Sequence, residues 1–150
     1  MPKQSAGVLL YRKLNNVLQV FLVHPGGPFW KNKDDGVWSI PKGEYEDGED
    51  PLEAAIREFF EETGQRIDGD FVALNPIKLK SGKTVHAWAV EGDIDQHNIK
   101  SNLFEMEWPP KSGKTQAFAE IDRGEWFSVE EALVKINAAQ AKLVVELSPL

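Results

Sequence analysis

Three glutamates that could bind a metal ion together lie within five residues of the chain: Glu58, Glu61 and Glu62. Their spacing of i, i+3 and i+4 places all three on one face of a helix. Mg²⁺ prefers oxygen ligands and keeps several of its waters, so carboxylates spaced in this way can hold such ions without enclosing them. An acidic helix face is also common as a merely solvated surface, and the neighbouring residues must decide between the two interpretations.

The surrounding residues predict a helix with one apolar face. Asp50 can cap this helix, Pro51 suits its first position, and Glu53 falls three residues after the cap. Gly64 supplies the left-handed stop. At 100° per residue, the side opposite the three glutamates is expected to face the core and carries Leu52, Ala55, Ile56, Phe59 and Phe60.

The glutamates belong to a longer pattern that begins at Gly43. The stretch from 43 to 64 resembles the Nudix box, whose seven fixed positions are matched by Gly43, Glu49, Arg57, Glu58, Glu61, Glu62 and Gly64. A chance match at a given position has a probability of about one in 10^8 at average residue usage. The one departure is Gln65, where the family usually has an aliphatic residue.

This resemblance implies a Mg²⁺-dependent hydrolase of diphosphate linkages, with Mn²⁺ as a substitute metal. By the resemblance, Glu58 and Glu62 would be the principal metal ligands, Glu61 would share a metal, and the Gly43 carbonyl would complete the shell. Three carboxylates this close repel one another without a counterion. The metal is therefore expected to matter for structure as well as for catalysis.

Two cationic side chains flank these ligands. By the resemblance, Arg57 would orient a neighbouring carboxylate and Glu49 would support it, because a bidentate pair requires a guanidinium. Lys42 stands immediately before the box, where its ammonium could meet a substrate phosphate. The alternative for Lys42 is an exposed lysine in a turn.

The general base of the family often comes from a loop before a late strand. Glu120 lies six residues before Trp126 in such a position, and we expect it to be the base. The competing candidates for this role are Glu58, Glu105 and Glu107.

Composition limits the class of protein. A chain of 150 residues with 41% hydrophobic content suits one domain, spanning 1–150. Its net charge of −7 argues against binding a nucleic-acid backbone. The resemblance implies a small-molecule nucleotide as the partner. The chain has no cysteine, which excludes disulfides and zinc–thiolate sites. No apolar stretch is long enough to cross a bilayer or to form the core of a signal peptide. A cytoplasmic protein without membrane contact is therefore expected. The oligomeric state is left open.

The first third of the chain predicts strands around a long loop. Residues 6–14 and 17–24 form a hairpin on the Asn15-Asn16 turn. The loop that follows contains Phe29 and Trp30, interpreted as the plug of the loop in preference to an aromatic lid over a ligand. A short strand over 37–40 then leads to the box.

The rest of the chain predicts a second hairpin and a helix. Residues 70–80 and 84–91 pair around 81–83, with the alternation of a half-buried strand. Ser128 begins a capped helix that docks through Ala132, Leu133 and Ile136. Whether this helix breaks at Asn137 is open.

The order hairpin, strand, helix, hairpin, helix predicts an α/β fold in which helices pack on a mixed sheet. The resemblance implies the same arrangement, an α/β/α sandwich. It covers the box strongly and the segments 6–10 and 125–127 more loosely.

The substrate is ranked from the lead-in to the box. Pro-Lys-Gly at 41–43 is similar to the dinucleoside-polyphosphate branch of the family and to messenger-RNA decapping relatives. Dinucleoside polyphosphates therefore rank first, nucleoside triphosphates second and ADP-sugars third, although no tyrosine follows Tyr45 where the first group has one. The alternative function is a non-catalytic Nudix-like module that binds a nucleotide or metabolite, but such modules commonly lack a box glutamate. A structural acidic helix would explain the charge and not the spacing.

Overall fold

The protein was analysed as a computed structural model, which describes residues 4–149. The strands in this part of the chain are β1 Gln4–Leu14, β2 Val17–Pro25, β3 Lys42–Tyr45, β4 Val72–Ala73, β5 Ile77–Lys78, β6 Thr84–Glu91, β7 Leu103–Glu107, β8 Thr115–Ala119 and β9 Ile121–Ser128. The helices are α1 Pro51–Thr63, α2 Val129–Lys135 and α3 Ala141–Leu147, with a 3₁₀ turn at Ala138–Gln140. No helix in residues 4–149 is long and apolar enough to cross a membrane.

Strand β1 is the centre of a mixed seven-stranded sheet. It pairs in parallel with β6 along one edge and antiparallel with both β2 and β3 along the other. Strand β3 pairs with Gln4–Gly7 of β1, whereas β2 pairs with Tyr11–Leu14. The sheet therefore divides along this edge, and β2 continues outward to pair with β9.

Both predicted hairpins are present. Asn15 and Asn16 adopt φ values of 53° and 66°, the left-handed region that a tight two-residue turn requires and that asparagine tolerates. The second hairpin pairs β6 with two short strands, β4 and β5, because its first arm is interrupted at 74–76.

Alternating residues of the sheet contact a separate core on each side. Ala6, Val8 and Leu10 of β1 face α1 and pack with Phe59, whereas Leu9 faces the opposite core. That second core is covered by α2 and α3, whose buried residues include Ala132, Ile136, Leu143 and Val144. The helices thus lie on both faces of the mixed sheet, as the α/β/α prediction requires.

The box helix begins and ends where its caps predicted. The Asp50 carboxylate accepts a hydrogen bond of 3.0 Å from the Glu53 N–H, and Gly64 ends the helix with φ 74°. Its buried residues are Ala54, Ala55, Phe59 and Thr63, whereas Leu52 and Ile56, which were also predicted to face the core, are half-buried. Phe59 is fully buried, but Phe60 is 41% exposed and its ring is covered by Arg66, so the prediction that Phe60 faces the core is wrong.

Other differences concern segments outside the box. The segment predicted as a strand over 37–40 makes only isolated bridges, at Trp38 and Ser39. The paired strands β7 and β8 were not predicted. Beyond the capping box of Ser128, α2 ends at Lys135, and the chain turns at Asn137 before α3. Leu133 is 40% exposed, so it does not dock as predicted.

Candidate active site

The residues of the candidate site lie on one face of α1, beside β3 and the division of the sheet. Helix α1 carries Arg57 and the three glutamates, and β3 contributes Lys42 and Gly43. The loop between them contributes Glu49. The Asp50 cap and the apolar side of α1 fix the helix against β1, so the charged face turns away from the core.

Arg57 is the centre of the carboxylate cluster. Its Nε donates to Glu49 Oε2 at 3.1 Å and its second terminal nitrogen donates to Glu49 Oε1 at 3.2 Å, a bidentate pair. The other terminal nitrogen donates to Glu58 at 2.8 Å and to Glu61 at 3.2 Å. The hydrogen bond with Glu49, followed by those with the other carboxylates, raises the pKa of Arg57 above its ordinary value.

Gly43 lies directly against the carboxylate of Glu58. A Cβ atom at this position would overlap both carboxylate oxygens of Glu58. The missing side chain therefore lets the Glu58 carboxylate approach the backbone of β3, which places its oxygens next to the strand that also carries Lys42.

Glu62 is the most deeply buried carboxylate of the site. Burial, together with the negative charge of Glu58, raises the pKa of Glu62 from 4.5 to about 8. Its Oε1 accepts a weak hydrogen bond of 3.4 Å from the Lys42 N–H. Burial likewise lowers the pKa of the Lys42 ammonium, and Glu62 acts in the opposite direction. The opposite charges of Glu62 and Lys42 thus partly compensate each other in a poorly solvated part of the site.

Glu120 lies at the same edge, on the residue that joins β8 to β9. Its carbonyl accepts from the Gly26 N–H at 2.8 Å, and its N–H donates to Asn102, whose N–H donates to the Glu61 carbonyl. Burial, and then the charge of Glu61, raises the pKa of Glu120. The backbone therefore brings Glu120 to the box helix.

The other two candidates for the base stand apart from this cluster. Glu105 and Glu107 are exposed on β7, and Glu107 accepts from the Lys111 N–H at 2.8 Å. Among the carboxylates outside the box, it is Glu120 whose charge raises the pKa of both Glu58 and Glu62.

The donor set fits a hard divalent cation in kind. It consists of carboxylate oxygens, which Mg²⁺ prefers, and burial raises the pKa of Glu58 and Glu62 although Arg57 and Lys42 act in the opposite direction. In residues 4–149, however, no three acidic or histidine side chains converge as a formed metal site. Arg57 instead holds Glu58 and Glu61 to one of its own nitrogens.

A groove runs from the carboxylates toward the loop after β2. Two adjoining cavities of about 180 and 260 Å³ share four lining residues, namely Pro25, Val37, Ser39 and Lys42. Glu62 lies at the end of the smaller cavity, and Trp30 lines the larger one. Lys42 thus stands between the acidic cluster and a pocket large enough for part of a nucleotide.

The groove contains residues that the sequence did not identify as site residues. Ser39, Leu79, Asn137 and Gln140 line it together, although about a hundred positions separate the first from the last. Phe29 and Trp30 are 61% and 40% exposed, so the prediction that they plug the loop is wrong. Instead, Trp30 borders the groove, and Phe29 contacts Trp108 edge-on at 6.1 Å.

Comparison with known proteins agrees with this geometry. The NUDIX domain family model matches residues 1–147. An RNA pyrophosphohydrolase from Agrobacterium fabrum is 57% identical over 133 residues, which cover 76% of this chain and 73% of the relative. An asymmetrical bis(5'-nucleosyl)-tetraphosphatase from Mus musculus is 29% identical over 145 residues, which cover 88% of this chain and 83% of the relative.

Coverage differs among the relatives, and the fold agrees with solved structures. The chain spans 55% of the length of an RNA pyrophosphohydrolase from Brucella anthropi, with 35% identity over 105 residues. The crystal structure of a C. elegans Ap4A hydrolase superposes with a TM-score of 0.63 at 24% identity, covering 98% of this chain and 96% of the hydrolase. The complete box, its placement on α1 and the match over residues 1–147 show that the chain belongs to the NUDIX family.

Proposed function

We propose that this chain is a Mg²⁺-dependent pyrophosphohydrolase that cleaves a diphosphate linkage in a nucleoside diphosphate derivative, with Mn²⁺ able to replace Mg²⁺. The observation that carries the proposal is the placement of Glu62, on the same helix as Glu58 and Glu61, at a groove that Lys42 also lines. The relatives named as hydrolases support the same reaction class. The complete box disfavours a non-catalytic binding module.

We assign the roles of the residues from the resemblance together with their contacts. Glu58, Glu61, Glu62 and the Gly43 carbonyl would hold the metal, which when bound neutralises phosphate oxygens and favours ionisation of a nucleophilic water. Arg57 would orient the carboxylates, with Glu49 fixing the guanidinium through its bidentate pair. The charge of Arg57 also limits the repulsion between glutamates before a metal arrives.

Lys42 and Glu120 would act on the substrate side of the metal. The Lys42 side chain lines both cavities of the groove, so its ammonium would meet a phosphate of a substrate that enters there. Glu120 would accept the proton of the attacking water. Its raised pKa suits this role, because a general base works best when its pKa lies nearer the working pH.

We rank dinucleoside polyphosphates first as substrates, then nucleoside triphosphates and ADP-sugars. The tetraphosphatase relative and the Pro-Lys-Gly lead-in support the first rank. The 5′ end of RNA is a further candidate, because a relative at 57% identity is named an RNA pyrophosphohydrolase.

The location of the protein in the cytoplasm stays a prediction.

A substrate panel tests this proposal. Dinucleoside polyphosphates, nucleoside triphosphates, ADP-sugars and a 5′-triphosphorylated RNA would be incubated with Mg²⁺, and the products identified by mass spectrometry. We expect cleavage between two phosphates, lost in Glu62→Gln. Binding of a nucleotide without any turnover in the whole panel would instead support the non-catalytic module.

A further inference from the structure

His24 is a buried histidine that the proposed reaction does not use. It lies near the end of β2, with 0% of its surface exposed, and its ring packs edge-on against Trp38 at 5.1 Å. A buried imidazole must find hydrogen-bond partners for its nitrogens, and the partners here are informative.

Both nitrogens of the ring face oxygen acceptors. Nδ1 lies 2.8 Å from Asp122 Oδ1, and Nε2 lies 2.6 Å from the backbone carbonyl of Lys33. A carbonyl oxygen can only accept, and so can an ionised carboxylate. Neutral imidazole has one N–H and would leave a lone pair against one of these oxygens. The imidazolium, which donates from both nitrogens, satisfies both contacts, and Asp122 supplies the opposite charge.

These two contacts connect the loop after β2 with β9. Lys33 belongs to the loop that carries Trp30, and its own N–H donates to the Trp30 carbonyl at 2.9 Å. Asp122 follows Ile121, which lines the groove next to Glu62. The histidine therefore joins this loop to β9 next to the residues that line the groove.

Neighbouring contacts hold the far end of the same loop. The Asp34 carboxylate accepts from Trp38 Nε1 at 2.8 Å and from Lys135 Nζ at 2.6 Å. The Arg123 guanidinium covers the Trp38 ring at 5.1 Å. Trp30 lies between two contacts of the loop, the ring contact of Phe29 with Trp108 and the hydrogen bond of the Lys33 carbonyl with His24.

We infer that His24 is a positioning residue. As an imidazolium held by Asp122, it fixes the Lys33 carbonyl and with it the loop that places Trp30 at the edge of the substrate groove. The inference rests on the proposed function in so far as the groove takes the nucleotide. It assigns His24 an effect on substrate binding and none on the chemical step.

Nitrogen NMR of the ring tests the charge state without any assay of activity. In ¹⁵N-labelled, metal-free protein at pH 7, we expect two N–H signals from the His24 ring, assigned by their loss in His24→Gln. A single protonated nitrogen, with the other carrying a free lone pair, would overturn the inference.

Variants test the effect on the loop and on binding. His24→Gln and Asp122→Asn should speed hydrogen exchange at the Trp30 and Lys33 amides, and His97→Gln, at an exposed position, is the matched control. On the best substrate, KM should rise about tenfold while kcat stays nearly unchanged. A rise of about tenfold lies at the lower end of the range expected when a hydrogen bond to a charged group is lost. Asp122→Glu, which keeps the charge, should restore most of the affinity.

The outcomes separate this inference from the proposed function. If His24→Gln does not fold, hydrogen exchange and KM can still be measured in Asp122→Asn, because Asp122 is partly exposed. Unchanged exchange and KM in Asp122→Asn would overturn the positioning role. If the wild-type protein hydrolyses no nucleotide, the proposed function fails, while the NMR and exchange results still decide whether His24 holds the loop.

Discussion

At the residue scale, the site contains more carboxylates than cationic side chains that could neutralise them. Arg57 contacts three of them, and yet burial and the charge of Glu61 keep the pKa of Glu58 raised. Glu62, which Arg57 does not contact, has the larger shift. A bound divalent cation would supply the charge that the folded protein lacks at this place.

Gly43 provides a sharp test of the Glu58 position. Gly43→Ala would place a methyl group where the Glu58 carboxylate lies, and a carboxylate at the end of a flexible side chain can turn away. We expect the melting temperature to change little and the apparent Mg²⁺ affinity to fall. Isothermal titration with Mg²⁺ checks this, with Lys80→Ala, at an exposed position, as a control. Unchanged affinity would mean that Glu58 does not need to approach β3.

The raised pKa of Glu62 predicts how stability depends on pH. Because the folded protein binds this proton more tightly than the unfolded chain, the stabilisation is complete below about 4.5 and is lost as the pH rises toward about 8. In EDTA, the free energy of unfolding should fall over this range in the wild type more than in Glu62→Gln. Parallel denaturant titrations of the two proteins measure the difference. Equal slopes would show that Glu62 is not held in a poorly solvated place.

Lys42 is expected to act on binding or on the transition state. Lys42→Ala should lower kcat/KM while changing the melting temperature little, because Lys42 lines the groove and burial already disfavours its charged form in the folded protein. Lys80→Ala, at an exposed position, is the matched control. Wild-type kcat/KM in Lys42→Ala would remove Lys42 from the site.

At the element scale, α1 separates stability from chemistry by its two faces. Its apolar side packs on β1, and its charged side carries Arg57 and the glutamates. The position of the helix is set by the Asp50 cap, the Gly64 stop and the buried ring of Phe59, which lies 6.4 Å from Phe21. Changes on the apolar face should therefore reduce activity only through unfolding.

Two adjacent phenylalanines test this division. Phe59→Ala removes a fully buried ring and should lower the free energy of unfolding by about 3–5 kcal/mol. Phe60→Ala, at a 41% exposed position, should cost less than about 1 kcal/mol. Urea titration of both variants gives the comparison. Equal losses would contradict the burial that distinguishes these neighbouring side chains.

The elements that could be predicted from the sequence are those specified by residues close together in the chain. The caps of α1 and α2 and the asparagine turn depend on a few adjacent residues, and all three are present. Strands β7 and β8 have no such signal, because most of their residues are exposed and no face alternates with a core. Phe60 differs from the prediction because the buried face of α1 runs through Ala55, Phe59 and Thr63, and Phe60 lies at the edge of this face.

At the scale of the whole molecule, the site depends on how distant segments meet. The box lies within 22 residues, so its spacing could be recognised from the sequence alone. The groove joins the loop after β2, the turn before β6 and the segment before α3, and only the fold brings these together. The same contacts explain why Trp30, within the long loop between β2 and β3, lies at a pocket near the carboxylates.

The central claim is that the glutamates of α1 hold the metal on which diphosphate cleavage depends. The most direct measurement is a Mg²⁺ titration of turnover, on the best substrate of the panel, after exhaustive treatment with EDTA. We predict no turnover in EDTA, recovery with Mg²⁺ or Mn²⁺, and a kcat at least about a hundredfold lower in a folded Glu62→Gln protein. Full turnover in EDTA, or near-normal kcat in Glu62→Gln at saturating Mg²⁺, would contradict the claim.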